Sequence, residues 1–282
     1  MKRAFVVGFP ISHSRSPMIH NFWLKKYEIK GEYLARSVDK DKIQFFIKNF
    51  ENEGFCGGNV TIPYKEIAFA NCNEVTEEAR KTRAVNTVWL DSGRRLGDNT
   101  DIEGFLANID SEAPAWDENC GHAAIIGAGG AARAVIAALA RRGVPEITIV
   151  NRSLERMEHL VQEISGWGFR KIQPRRLEPG HTSFDEANLL VNTTSLGMVG
   201  QPPLEISLER LSAEAIVYDI VYAPLETNLL REARNRGLRI VGGLGMLLHQ
   251  AAPAFERWFG MRPEVTPDLR RLVEQDLLRP KS

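Results

Sequence analysis

Short apolar runs alternate with stretches of helical spacing along almost the whole chain. That alternation predicts an α/β protein with largely parallel sheets. Ala4–Val7 is an apolar run closed by Gly8 and Pro10, and it predicts a strand rather than a signal peptide. Ser16 is the expected cap of the next helix, with Pro17 at its first position. Asp39 is the expected start of another helix, whose Ile43, Phe46, Ile47 and Phe50 share one face. Phe55–Val60 and Thr87–Leu90 predict further strands.

A second pattern opens near Ala123. Ala123–Ile126, Ile147–Val150, Leu189–Val191, Ala215–Tyr218 and Leu238–Val241 predict buried strands. Between them, Ala131–Arg142, Ser153–Ile164 and Thr227–Arg236 predict helices, the first closed by Gly143. Two helices end the chain, Gly245–Phe259 and Pro267–Leu278. Ser111–Cys120, with Pro114 and mixed polar residues, predicts a surface segment near a domain junction.

The chain has 282 residues, enough for two domains. Lys+Arg and Asp+Glu number 36 each, so the net charge is zero and neither nucleic acid nor membrane is an expected partner. No apolar run is long enough to span a bilayer. Cys56, Cys72 and Cys120 are far apart, which suggests reduced thiols and a cytoplasmic protein. The six histidines lack ligand spacing, so no metal is expected.

The central strand is followed by Gly127-Ala128-Gly129-Gly130-Ala131-Ala132. This is a GxGxxG/A pattern between a strand and a helix. The glycines let the backbone turn and approach a pyrophosphate, and the helix N-terminus attracts the anion. A bare glycine-rich turn has the same letters; the strand and helix on either side favour a dinucleotide. The next strand ends Asn151-Arg152-Ser153-Leu154-Glu155-Arg156. An NAD site would place an acid there for the ribose hydroxyl. Arg152 and Arg156 instead offer a fork to a 2′-phosphate, with hydrogen bonds from Asn151 and Ser153, so the expected cofactor is NADP(H). Glu155 either pairs with one arginine or faces solvent.

Polar residues also gather in the first half. Ser12-His13-Ser14-Arg15-Ser16-Pro17 sets hydroxyls just before a helix, a suitable carboxylate cradle. Asn59-Val60-Thr61-Ile62-Pro63-Tyr64-Lys65 ends a strand and opens a helix. A lysine at a helix start is disfavoured by the dipole and calls for a partner. Asn86, Asn99, Thr100 and Asp101 follow, and Gln250 lies in an apolar helix. Taken singly, Asn86 also fits a turn, Asp101 a helix cap and Gln250 an exposed position.

The blocks SHSRSP, NVTIPYK, AVNT, GDNTD, GAGGAAR, NRSLER, NTTSLGM and GGLGMLLHQA resemble those of shikimate dehydrogenases, in the family's order, over residues 8–252. The resemblance implies an N-terminal α/β substrate domain of residues 1–103 and a Rossmann-type doubly wound NADP domain of residues 104–242. It implies that residues 243–282 return to the first domain, with the active site between the two. Ser14 and Ser16 would bind the substrate carboxylate, helped by the Tyr222 hydroxyl. Thr61, Lys65, Asn86, Asp101 and Gln250 would bind the ring hydroxyls and the reacting oxygen, with Lys65 and Asp101 as the catalytic pair. Gly127, Ala128, Gly129, Gly130, Ala131, Asn151, Arg152, Ser153, Arg156, Ile220 and Gly243 would contact NADP, with Glu77 at its nicotinamide end. A homodimer is a family-level expectation. The late block reads Gly242-Gly243 where relatives often have Asp-Gly, and the cofactor strand ends Asn-Arg-Ser instead of Asn-Arg-Thr.

The implied reaction is hydride delivery to the ketone carbon of 3-dehydroshikimate, giving shikimate. Lys65 would supply the cation and proton that the developing alkoxide needs. Asp101 would hold the ammonium, its charge raising the lysine's pKa while burial lowers it. A quinate or dual quinate/shikimate dehydrogenase is the nearest alternative; the serine pair and the two arginines favour shikimate. A non-catalytic NADP- or shikimate-responsive regulator is the alternative from another class. Retention of both Lys65 and Asp101 speaks against it.

Overall fold

A computed structural model describes residues 1–178, 180 and 182–279. The chain divides into two compact units, one of Met1–Gly104 with Leu248–Ser282, the other of Phe105–Leu247. The expected boundaries were 103/104 and 242/243. Gly243 to Leu247 therefore belong with the second unit, and residues 280–282 of the C-terminal segment lie outside the described ones.

In the first unit, β1 (Lys2–Gly8) is flanked by parallel partners β2 (Gly31–Ser37) and β3 (Gly57–Val60). β5 (Thr87–Asp91) and β6 (Arg94–Asp98) add antiparallel strands beyond β3, and β4 (Glu74–Val75) closes the order β2-β1-β3-β5-β6-β4. This sheet is mixed rather than parallel. β5 runs opposite to both its neighbours, and it is joined to β6 by a two-residue turn, Ser92-Gly93, in which both residues have positive φ, the backbone that matches hairpin twist.

α1 (Ser16–Lys26) has Arg15 at its cap position with helical backbone angles, so Ser16 is the first helical residue and not the cap. Ser14 takes over instead: its Oγ accepts from the Ser16 N–H at 3.3 Å. α2 (Ile43–Asn49) starts four residues after Asp39, whose carbonyl closes a preceding turn by accepting from Lys42 and Ile43. Its apolar face is the expected one; Ile43, Phe46 and Ile47 join Phe50, Phe5 and Phe55 in the core. α3 (Lys65–Asn71) follows β3, and α4 (Glu77–Thr82) is capped by Thr76.

The second unit begins within α5 (Asp101–Glu112). Its sheet is all parallel, built from β7 (His122–Ile126), β8 (Glu146–Asn151), β9 (Lys171–Arg176), β10 (Leu189–Asn192), β11 (Ile216–Asp219) and β12 (Arg239–Gly242). The order is β12-β11-β10-β7-β8-β9, so the winding reverses at β7. In an open α/β sheet, ligands bind at the carboxyl ends beside such a reversal. β7, β10 and β11 read as continuous apolar runs because α6 (Gly130–Arg141), α7 (Leu154–Ile164) and α8 (Asn228–Asn235) share in covering the faces of a parallel sheet. Ser111–Cys120 is not simply surface. Ala113 and Trp116 are buried, and the Trp116 indole N–H donates to Asp110 at 2.8 Å.

α9 (Gly243–Phe259) crosses into the first unit, and α10 (Pro267–Leu278) belongs to it. Aromatic N–H groups tie these residues to that unit's sheet and first helix. Trp258 donates to the Val88 carbonyl at 2.9 Å, and Trp23 to that of Glu264 at 3.1 Å.

Candidate active site

The first unit gathers polar side chains at the ends of β3, β5 and β6. Lys65 is the first residue of α3, and its Nζ donates to Asp101 Oδ2. The ion pair answers the dipole objection to a lysine at that end. Asp101 opens α5 and is held on three sides. Its N–H donates to Asn99 Oδ1 at 3.1 Å, Oδ2 takes Lys65, and Oδ1 accepts from Asn86 Nδ2 at 2.8 Å.

Asn86 is the hub. Its amide nitrogen also reaches Thr100 Oγ1 at 3.0 Å and Gln250 Oε1 at 3.4 Å. Its carbonyl oxygen accepts from the Thr100 N–H at 2.9 Å and from Thr87 Oγ1 at 3.0 Å. Asn59 Nδ2 donates to the backbone carbonyl of Asn86 and to Thr87 Oγ1, and Asn59 Oδ1 accepts from the Tyr33 hydroxyl at 2.6 Å. Burial raises the Tyr33 pKa well above its usual value, so this hydroxyl stays protonated as a donor. Buried polar groups demand such partners, and a fully connected set fixes each side chain.

Ser16 is buried, while Ser14 and Thr61 are half-buried. Thr61 lies just beyond β3, its N–H bonded to the Val7 carbonyl at 3.0 Å. Lys65, Asn86, Asp101 and Gln250 are thus joined by hydrogen bonds. Spacing alone gave Tyr33 and Thr87 no distinction; a polar side chain in a buried strand is the signal that marks Asn59 and Thr87.

In the second unit the glycine loop leaves β7 at the winding reversal. Gly127 has φ +116°, and a Cβ there would lie 2.4 Å from Thr193 Oγ1, so only glycine fits. Gly129 precedes α6, and a Cβ there would meet nothing within 4 Å. The backbone is open at that point, and the helix N–H groups of Gly130 and Ala131 follow directly, with Ala128 half-buried before them. These residues fit a bound pyrophosphate.

Arg152 and Arg156 are exposed, and neither guanidinium has an ion-pair partner among the described residues. Glu155 is exposed too and pairs with neither. Ser153 caps α7 by accepting from the Arg156 N–H, and Asn151 donates to the Ser153 carbonyl at 3.0 Å. Ile220 and Tyr222 are half-buried on the loop after β11. A Cβ on Gly243 would lie 2.1 Å from the Ile220 carbonyl oxygen, which makes that glycine obligatory, whereas Gly242 has room for a side chain. Asn108 donates to the Gly242 carbonyl at 2.9 Å. Glu77 is exposed at the start of α4, in the first unit. Among the described residues no cluster could hold a metal ion.

The shikimate dehydrogenase substrate binding domain family matches residues 6–88, the shikimate/quinate 5-dehydrogenase family residues 113–219, and the shikimate 5′-dehydrogenase C-terminal domain residues 243–272. The NADP(+) shikimate dehydrogenase of Methylocella silvestris is 53% identical, over 98% of this chain and 96% of its own. The chain belongs to the shikimate dehydrogenase family. Within this family, the Thermus thermophilus shikimate 5-dehydrogenase, solved with NADP(H) and shikimate, superposes with a TM-score of 0.83 at 35% identity, covering 99% of this chain and 100% of that one. A quinate dehydrogenase from Corynebacterium glutamicum, solved with NAD, reaches 0.86 at 27% identity, covering 97% and 99%. No helix among the described residues is long and apolar enough to cross a membrane.

Proposed function

We propose that this chain catalyses the reversible, NADPH-dependent reduction of 3-dehydroshikimate to shikimate in aromatic amino-acid biosynthesis. The observation that carries the reading is the Lys65–Asp101 pair, locked to Asn86, Thr100 and Gln250 by buried hydrogen bonds in a chain of this family.

Bound NADPH supplies the hydride; Gly127 to Ala131, Asn151 to Arg156, Ile220 and Gly243 would hold it, and Glu77 would lie near the nicotinamide. Every proton belongs to the chain's own residues. Lys65 stabilises the developing alkoxide with its charge and gives it a proton from Nζ. In the oxidation direction the amine takes that proton back. Asp101 holds the ammonium in line and accepts from a neighbouring ring hydroxyl. Asn86, Thr61 and Gln250 present neutral donors and acceptors to the other hydroxyls. Ser14 and Ser16, at the start of α1, receive the carboxylate, with the Tyr222 hydroxyl as a further donor. Discrimination follows from loss of buried partners when a hydroxyl is missing or misplaced.

The test is loss of NADPH absorbance on adding 3-dehydroshikimate to the purified chain. Rapid, saturable oxidation is expected; ligand binding without oxidation would favour the regulator. A second reading, dual action on quinate, draws on the likeness to the quinate dehydrogenase. Turnover of shikimate and quinate with NADP and NAD decides between them, and shikimate with NADP is expected to lead by at least about tenfold. A cytoplasmic site of action accords with three unpaired cysteines. The expected homodimer is tested by light scattering on the eluting protein.

A further inference from the structure

Asp219 ends β11 and is fully buried, yet the catalytic reading gives it no role. Three donors point at its carboxylate. Oδ1 accepts from the Val221 N–H at 3.0 Å and from Asn192 Nδ2 at 3.0 Å; Oδ2 accepts from Thr227 Oγ1 at 2.7 Å. Its hydrogen-bond partners among the described residues are a neutral amide, a hydroxyl and a backbone N–H.

Each donor belongs to a different piece of the carboxyl edge of this sheet. Val221 lies between Ile220 and Tyr222 on the loop after β11. Asn192 ends β10, and its Oδ1 accepts from the N–H and hydroxyl of Thr194. The neighbouring Thr193 packs where Gly127 can carry no side chain. Thr227 is the cap of α8, its Oγ1 accepting from the Leu230 N–H. Ile220 is held again from the other side, its carbonyl against Gly243.

An amide at position 219 would satisfy this donor set badly. Its NH₂ would confront a hydroxyl that now donates, in a place buried from solvent. A buried carboxylate also costs stability, because burial disfavours its charge. A group that is costly where it sits and is met by three converging donors is a fixed point for the loops that bear on it.

We propose that Asp219 is a positioning residue that fixes the Ile220–Tyr222 loop and the turn after β10, and so sets affinity for the dinucleotide. The inference rests on the proposed NADP-dependent activity. Ile220 is among the residues that would contact NADP in that reading, and Tyr222 lies on the same loop. Lys65 and Asp101 belong to the other unit and take no part in this network.

The test begins with the wild-type chain, by NADPH fluorescence titration and by NADP reduction with shikimate at mildly alkaline pH. Failure of the wild type in both would sink the underlying reading, not this one. Asp219→Asn is then expected to weaken NADPH binding and raise the KM for NADP by about tenfold, with the KM for shikimate rising alongside. Its kcat at saturation should stay within about threefold. Thr227→Val should move the same constants in the same direction, and Thr227→Ser, which keeps the hydroxyl, should restore them. This second pair carries the test if Asp219→Asn does not fold. Unchanged cofactor affinity in folded Asp219→Asn, equal affinities in the two Thr227 variants, or a fall confined to kcat would each overturn the proposal.

Discussion

The two units prepare for their ligands in opposite ways. In the first, the groups that would meet substrate are side chains already bonded to one another. Asn86 alone touches Asp101, Thr100, Thr87 and Gln250. In the second, the cofactor candidates are open backbone at Gly129 and exposed guanidinium groups on Arg152 and Arg156 that form no ion pair among the described residues. A connected buried network is preorganised and intolerant of change. Exposed arginines make specific contacts only when a phosphate arrives, so in the proposed function they would govern choice of cofactor with little bearing on the fold.

That contrast is sharpest under substitution. Lys65→Ala removes the proton donor and the cation together, and kcat is expected to fall about 10³- to 10⁴-fold, or ~4–5 kcal/mol. NADPH binding, measured by fluorescence, should be unchanged; a variant with near-wild-type turnover would remove Lys65 from the mechanism. Asp101→Asn keeps the shape but loses the charge that holds the ammonium. Its kcat should fall about 10²-fold. An effect confined to KM would show that Asp101 only binds substrate. In the second unit, Arg152→Ala with Arg156→Ala should raise the KM for NADP roughly 30- to 100-fold, from two lost charge-assisted contacts. The KM for NAD should stay within about threefold. If both dinucleotides weaken equally, the arginines do not read the 2′-phosphate.

Acid should also act with opposite sign on the two units. His20 in the first is fully buried, stacked on Tyr33 with centroids 4.1 Å apart, and burial lowers its pKa to about 3. The unfolded chain takes up that proton below about 6.5 and the folded chain does not, so stability is lost as pH falls from 6.5 toward 3. Asp219 in the second unit is raised by burial from 3.8 to about 6. Its contribution is fully present below pH 3.8 and is lost as pH rises through about 6, an effect on the order of 3 kcal/mol. Denaturant titrations between pH 4 and 7 check both. Asp219→Asn should gain relative to wild type as pH rises, and His20→Phe should gain as pH falls; curves that run parallel to wild type would refute the assignments.

Much of this was legible in the order of residues, and the reason is local. Gly127 to Ala131 follow a strand and open a helix, and backbone turns are written in glycine. Arg152 and Arg156 follow the end of β8, the strand end that in a fold of this kind is expected to read the ribose. α2 placed its apolar face as spacing predicted, although its start depended on a turn at Asp39. Spacing did not distinguish a serine that caps from one that supports it. Ser14 bonds the Ser16 N–H because the backbone at Arg15 is already helical.

The sequence by itself determined the α/β class, the dinucleotide loop, the leaning toward NADP and, through family likeness, Lys65 and Asp101 as a pair. Only the tertiary structure decided what connects them. Asn86 and Gln250 are 164 residues apart, and their contact depends on α9 lying over a sheet it does not adjoin in the chain. Asp219 was one acid among 36 until three donors, one at the end of β10 and two on the connection from β11 to α8, converged on it. Long-range hydrogen bonds leave no period in a sequence, because the geometry that satisfies them exists only once the strands are side by side.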